Sequence, residues 1–157
     1  MSEYVNIQPP FATLKFREMS KRDLRNYYDW FLKQIPERIE ILTMAVNSSS
    51  HGFQLWQPTY APESLSTLGS WFSSQIQTRN KTLEELKSSL ISYDKVETQN
   101  WIFTNHTLSI AMDVGMYLSQ VFLRNHPQLK WDQLFGNKRF IDYGQPRTGW
   151  FRRRCSF

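Results

Sequence analysis

From residue 107 onward, apolar positions recur three and four apart: Leu108, Ala111, Met112, Gly115, Leu118 and Phe122. That recurrence predicts one apolar face of a helix, widened by Val114 and Val121. The helix is expected to end near Asn125, because Pro127 has no N–H and restricts the residue before it. Gly115 in a helix interior costs about 1 kcal/mol against alanine. With Ser119 one turn on, it predicts close approach of another element. Beyond the proline the period changes to two. Leu129, Trp131 and Gln133 alternate with Lys130, Asp132 and Leu134, and Gly136-Asn137 signals a short turn. Residues 139–143 read as the returning strand, with Trp131 buried between hairpin and helix.

Upstream, Ser20 with Asp23 three residues on resembles a capping box. Leu24, Tyr27, Tyr28, Phe31 and Ile35 follow on one helical face. Pro36 is expected to end that helix or to open a second one, which Ile39, Leu42 and Val46 carry on, with Arg38 and Glu40 facing solvent. Residues 47–52 are a polar loop. Pro62 suits the first turn of a helix whose buried face is Leu65, Leu68, Phe72 and Ile76, flanked by Trp71. Thr82 and Glu85 form a second capping box, opening a helix to about Leu90. Residues 93–104 read equally as loop or helix start.

These elements define an α+β, mostly helical domain of four to six helices with a small antiparallel sheet over 129–143. Residues 1–146 read as one domain and 147–157 as a basic tail. Aromatic residues make up 15% of the chain, a payload that argues for a packed core and against disorder. No apolar run approaches the ~20 residues of a membrane span. The start, MSEYVNIQPP, lacks a basic region followed by an apolar stretch, so no secretory signal is expected. The single cysteine, Cys155, excludes an intramolecular disulfide and a cysteine metal site, which fits a cytoplasmic protein.

The net charge of +5 is unevenly placed. Arg147, Arg152, Arg153 and Arg154 supply four charges and 147–157 holds no acid, so 5 − 4 leaves +1 on residues 1–146. Such a body offers little field to phosphate, and specific nucleic-acid binding is not expected. The rings of Trp150, Phe151 and Phe157 suit an anchor in a groove or on a second subunit, which leaves a homo-oligomer open.

No nucleotide, nucleophile-elbow or metal motif is present, and no catalytic residue, metal or cofactor is assigned. His51, His106 and His126 are far apart. The candidate surface is the polar stripe His106, Asp113, Tyr117, Gln120 and Arg124, on the side of the 107–125 helix away from its leucines. Its bland alternative is a solvated face. Trp30 and Trp71 are the candidate aromatic contacts for a partner, weighed against simple burial.

Four segments carry a family resemblance: YYDWFLKQIPERIEIL, YAPESL with the WF after it, DVGMYL, and LKW with the later YGQP. Together they resemble a family of small uncharacterised bacterial proteins, mainly Gram-positive, over most of residues 20–146. The resemblance implies no catalytic residues. It implies a further apolar strand after Gly144-Gln145-Pro146, where this chain instead reads RTGWFRRRCSF. Some small bacterial proteins of helix-plus-hairpin layout neutralise toxins, an analogy of layout alone. The expected function is therefore a non-enzymatic cytoplasmic module that binds a protein partner. The alternatives are an enzyme or small-ligand binder at the Asp113 stripe, and nucleic-acid binding through the arginine tail.

Overall fold

A computed structural model describes residues 4–12, 14–50, 52–91 and 99–150. The fold is α+β and mostly helical. Its order is α1 (Lys21–Ser48), α2 (Ser64–Gln75), β1 (Thr78–Asn80), α3 (Leu83–Ile91), β2 (Trp101–Phe103), α4 (Asn105–Asn125), β3 (Leu129–Gln133) and β4 (Pro146–Trp150). α4 is the central element, packed against α1, α2 and β3.

α1 begins where the Ser20 hydroxyl accepts the Asp23 N–H at 3.1 Å. It then runs 28 residues without a break, with Pro36 inside it. Pro36 cannot donate to the carbonyl four residues back, a loss of about 3 kcal/mol in an isolated helix. Apolar residues on both sides of it, Leu24, Tyr27, Ile35, Ile39, Leu42 and Val46, are all buried. One continuous buried face thus offsets the proline and overrides the expected break.

Pro62 lies in a tight turn before α2 rather than in its first turn. There the Ser64, Leu65 and Ser66 N–H groups bond the carbonyls three residues back. α3 opens on the expected capping box: Glu85 accepts the Thr82 N–H at 2.8 Å and Thr82 Oγ1 accepts the Glu85 N–H at 3.2 Å. Arg79 grips the same carboxylate at 2.7 and 2.9 Å. The Arg79 hydrogen bonds first, and the Thr82 N–H next, hold the Glu85 carboxyl down at about 2.

β1 and β2 pair antiparallel, Thr78 against Phe103 and Asn80 against Trp101. The region left open between loop and helix therefore holds a short strand over its last part. Thr107, in the first turn of α4, closes onto β1 by accepting the Gln77 N–H at 2.8 Å and donating to the Gln77 carbonyl at 3.0 Å.

The C-terminal hairpin exists, but its returning strand is displaced. β3 pairs with β4, Leu129 against Trp150 and Gln133 against Pro146, and 134–145 form a long connection. The boundary expected at 146/147 therefore falls inside a strand, and 147–150 belong to the sheet. Arg147, counted as tail charge, faces Asp132 at 3.5 Å and Asp142 at 3.8 Å. Residues 151–157, with Phe151, Arg152 to Arg154, Cys155 and Phe157, lie outside the described residues. The connection is fixed by Gln133, whose amide donates to the carbonyls of Leu24 and Gly144, both at 2.7 Å. Gly144 has φ +71°, and a Cβ there would lie 2.8 Å from both Leu24 methyls. Trp131 is half-buried and meets Phe31 of α1 edge-on at 5.6 Å, so its packing is onto α1 and less complete than expected.

The face of α4 is the main correction. Three of the residues expected inside face outward, Leu108, Leu118 and Phe122 being 52%, 37% and 45% exposed, while Met112 and Val114 pack half-buried against the core. From the stripe expected outside, Asp113 and Tyr117 are fully buried, beside Ile110, Met116 and the expected Val121, while His106 and Gln120 are half-buried and Arg124 is exposed. Among the described residues nothing lies within 4 Å of a Cβ placed on Gly115, so none of their elements approaches it closely.

Candidate functional site

Asp113 sits at the middle of α4 with no solvent exposure. A carboxylate removed from water needs a partner charge and a full set of donors. Both come from elsewhere in the chain. Arg38, expected in solvent, is turned inward from α1 and meets Asp113 in a fork: Nε donates to Oδ1 at 2.8 Å and Nη2 to Oδ2 at 2.6 Å. The Tyr4 hydroxyl donates to the same Oδ2. Arg38 Nη2 also donates to the Val5 carbonyl at 2.7 Å, and Ser109 Oγ accepts the Ile7 N–H at 2.7 Å. An N-terminal arm is thus laid over the junction of α1 and α4.

Burial, then the Asp113 charge beside it, pushes the Tyr4 phenol well above its ordinary 10.0. Burial would lower the Arg38 pKa, but hydrogen bonding to Asp113 and the charge of Asp113 outweigh it and hold Arg38 above its ordinary value. Both directions describe a neutral phenol and a charged guanidinium, an arrangement suited to holding structure. A general acid or base would need a pKa near the working pH.

The sequence-predicted stripe divides between two clusters. His106 belongs with Asp113, its ring edge-on to Tyr4 at 5.5 Å. Tyr117 belongs to a second cluster, where its hydroxyl lies 2.6 Å from Ser64 Oγ and accepts the Tyr60 N–H at 3.1 Å. Trp56 and Tyr60 pack on its ring. Tyr60 takes φ 59°, unusual for a non-glycine residue. It is held there by Asn125, which donates to its carbonyl at 2.9 Å, and by Arg124, stacked 3.3 Å over its ring. Gln120 is half-buried and joins neither cluster among the contacts described.

Of the aromatic candidates, Trp71 is 1% exposed with its indole N–H bonded to Ser49 Oγ at 2.7 Å, so it is core. Trp30 is half-buried against Tyr27 at 5.4 Å. No group of three metal-ligating side chains occurs among the described residues. No helix among them is long and apolar enough to cross a membrane. An open cleft of about 300 Å³ lies between 15–18 and 141–145, and it shares no residue with either cluster.

Sequence reasoning missed Tyr4 and Arg38, and it missed that Leu108, Leu118 and Phe122 face outward. A signal was present. Ile110, Asp113, Tyr117 and Val121 form a second three-and-four stripe with one acid in it. Ile35, Arg38, Ile39, Leu42 and Val46 form another with one base. One charge of each sign, each alone in an apolar stripe, marks two helices that pair.

Comparison of the chain with protein-family models, curated proteins and solved structures finds no match in any of the three.

Proposed function

We propose that this chain is a non-enzymatic protein-binding module whose contact surface is the outward stripe of α4. The observation that carries the reading is the recurrence of Leu108, Leu118 and Phe122 on the side of the helix away from the core. Single exposed leucines are ordinary, whereas large apolar residues repeating along one helix form a face that a partner can cover. Gly115, at mid-stripe, leaves room for a second backbone, since among the described residues its Cβ position has no neighbour within 4 Å. The sealed state of Asp113 disfavours the enzyme alternative, because both carboxylate oxygens already accept hydrogen bonds within the chain. The resemblance of 20–146 to small bacterial proteins supports a bacterial, cytoplasmic setting and, by analogy of layout, a partner such as a toxin.

The test is affinity capture with the wild-type chain, Phe122→Glu, Leu118→Glu and a control at an exposed apolar residue off the stripe, Leu55→Glu (Leu55 is 90% exposed). A protein retained by wild type and Leu55→Glu and lost by both α4 variants, with melting unchanged, is the expected result. Equal retention by all four chains would contradict the assignment.

A further inference from the structure

The N-terminal arm is seated like a bound peptide. Residues 4–12 lie in no helix or strand, and no backbone-to-backbone hydrogen bond among the described residues involves them. Among the described residues three polar contacts hold the arm: the Tyr4 hydroxyl on Asp113, the Val5 carbonyl on Arg38, and the Ile7 N–H on Ser109. Tyr4 and Ile7 pack against the core, whereas Val5 is 62% exposed and Asn6 also faces solvent. The surface therefore reads a phenol, a carbonyl one residue on, and an amide with a branched apolar side chain three residues on. Releasing the arm leaves the two-point Arg38–Asp113 fork intact, so opening strands no buried charge.

We infer that the α1–α4 junction over Arg38, Asp113 and Ser109 is a groove for an extended tyrosine-bearing segment, Tyr-x-x-Ile in pattern, from a protein partner, and that the chain's own arm fills it in cis as a displaceable strap. This surface is separate from the α4 stripe, and either assignment can fail without the other. Recognition through one side-chain anchor and main-chain contacts is a recurrent way of binding extended peptides. A segment that competes with a tethered copy of itself binds with its intrinsic affinity multiplied by the open fraction.

The test uses the full chain. By hydrogen exchange, the Ile7 amide is expected to exchange about 100-fold or more faster than those of Ile110 and Tyr117, as a locally opening unit does. A labelled, N-acetylated peptide of residues 4–12 is expected to bind the full-length Tyr4→Ala chain about tenfold or more tighter than wild type, because the cis competitor is weakened. The same peptide carrying Tyr4→Phe should lose most of that affinity. Should Tyr4→Ala fail to fold, Tyr4→Phe in the full chain keeps the ring and the same titration decides. Ile7 exchanging in step with α4, or no peptide binding to a folded Tyr4 variant, would overturn the proposal. A dimer of Tyr4-intact chains by sedimentation, without peptide binding, would overturn it in favour of arm exchange between copies.

Discussion

Arg38 and Asp113, 75 positions apart, meet through two hydrogen bonds of 2.8 and 2.6 Å with almost no exposure of either side chain. The pair fixes the facing registers of α1 and α4, and the arm is built onto it. Removing one partner leaves an uncompensated buried charge. Asp113→Ala is expected to cost about 3–5 kcal/mol. The paired change Arg38→Met with Asp113→Leu should recover most of that loss, because the desolvation cost disappears with the charges. Urea unfolding of the three chains checks this. A double variant as unstable as the single one would show that the pair does more than neutralise itself.

Two glycines are expected to respond to alanine in opposite directions. Gly144 has φ +71°, and a Cβ there would meet the Leu24 methyls at 2.8 Å. Gly144→Ala should therefore cost about 1–3 kcal/mol through strain and overpacking. Gly115 is helical with no neighbour among the described residues within 4 Å of its Cβ position, so Gly115→Ala should stabilise by up to about 1 kcal/mol. Thermal melts of both variants decide. A destabilised Gly115→Ala would mean that something covers that strip.

Alkaline pH should unfold the chain through its buried phenols. Burial pushes Tyr27 up from 10.0 to about 12, and Tyr4 shifts the same way. The folded state therefore holds these protons more tightly than the unfolded state. The Tyr27 contribution is complete below about pH 10 and is lost as the pH rises through about 12. Denaturant midpoints measured from about pH 8 to 12 should stay level and then fall, and Tyr27→Phe should flatten part of the fall. A midpoint independent of pH over that range would remove the burial of Tyr27 as its cause.

Much of the fold was legible because its signals are local. The caps at Ser20 and Thr82, the end of α4 before Pro127, and the period-two run at Leu129 each depend on residues within a few positions of one another. The hairpin's return was misplaced because Gly136-Asn137 suits a tight turn, whereas the actual connection is closed by Gln133 and Gly144 against distant Leu24. The face of α4 was misread for a stronger reason. Its leucines outrank Asp113 and Tyr117 on any hydrophobic scale, and only partners remote in sequence make the polar face the buried one. Tyr4 reaches Asp113 across 109 positions, and Tyr117 reaches Ser64 across 53. Trp71 was divided between surface and core for the same reason, since its hydrogen-bond partner Ser49 lies in the turn that ends α1.

The inverted face also predicts mutational costs. Trp71→Ala removes a fully buried indole and should cost about 3–5 kcal/mol. Phe122→Ser, on the outward stripe, should stay within about 0.5 kcal/mol of wild type. Equilibrium unfolding of the two variants provides the comparison. A large cost at Phe122 would mean that the stripe is covered within the chain.

The orientation of α4 can be measured in the unmodified protein by hydroxyl-radical footprinting with mass spectrometry. Phe122, Leu118 and Leu108 are expected to oxidise readily in the native state, while Tyr117 and Met116, both fully buried, are protected until the chain unfolds. Rapid native oxidation of Tyr117 and Met116 with protection of Phe122 and Leu118 would put the leucines back in the core. That result would remove the surface on which the proposed binding depends.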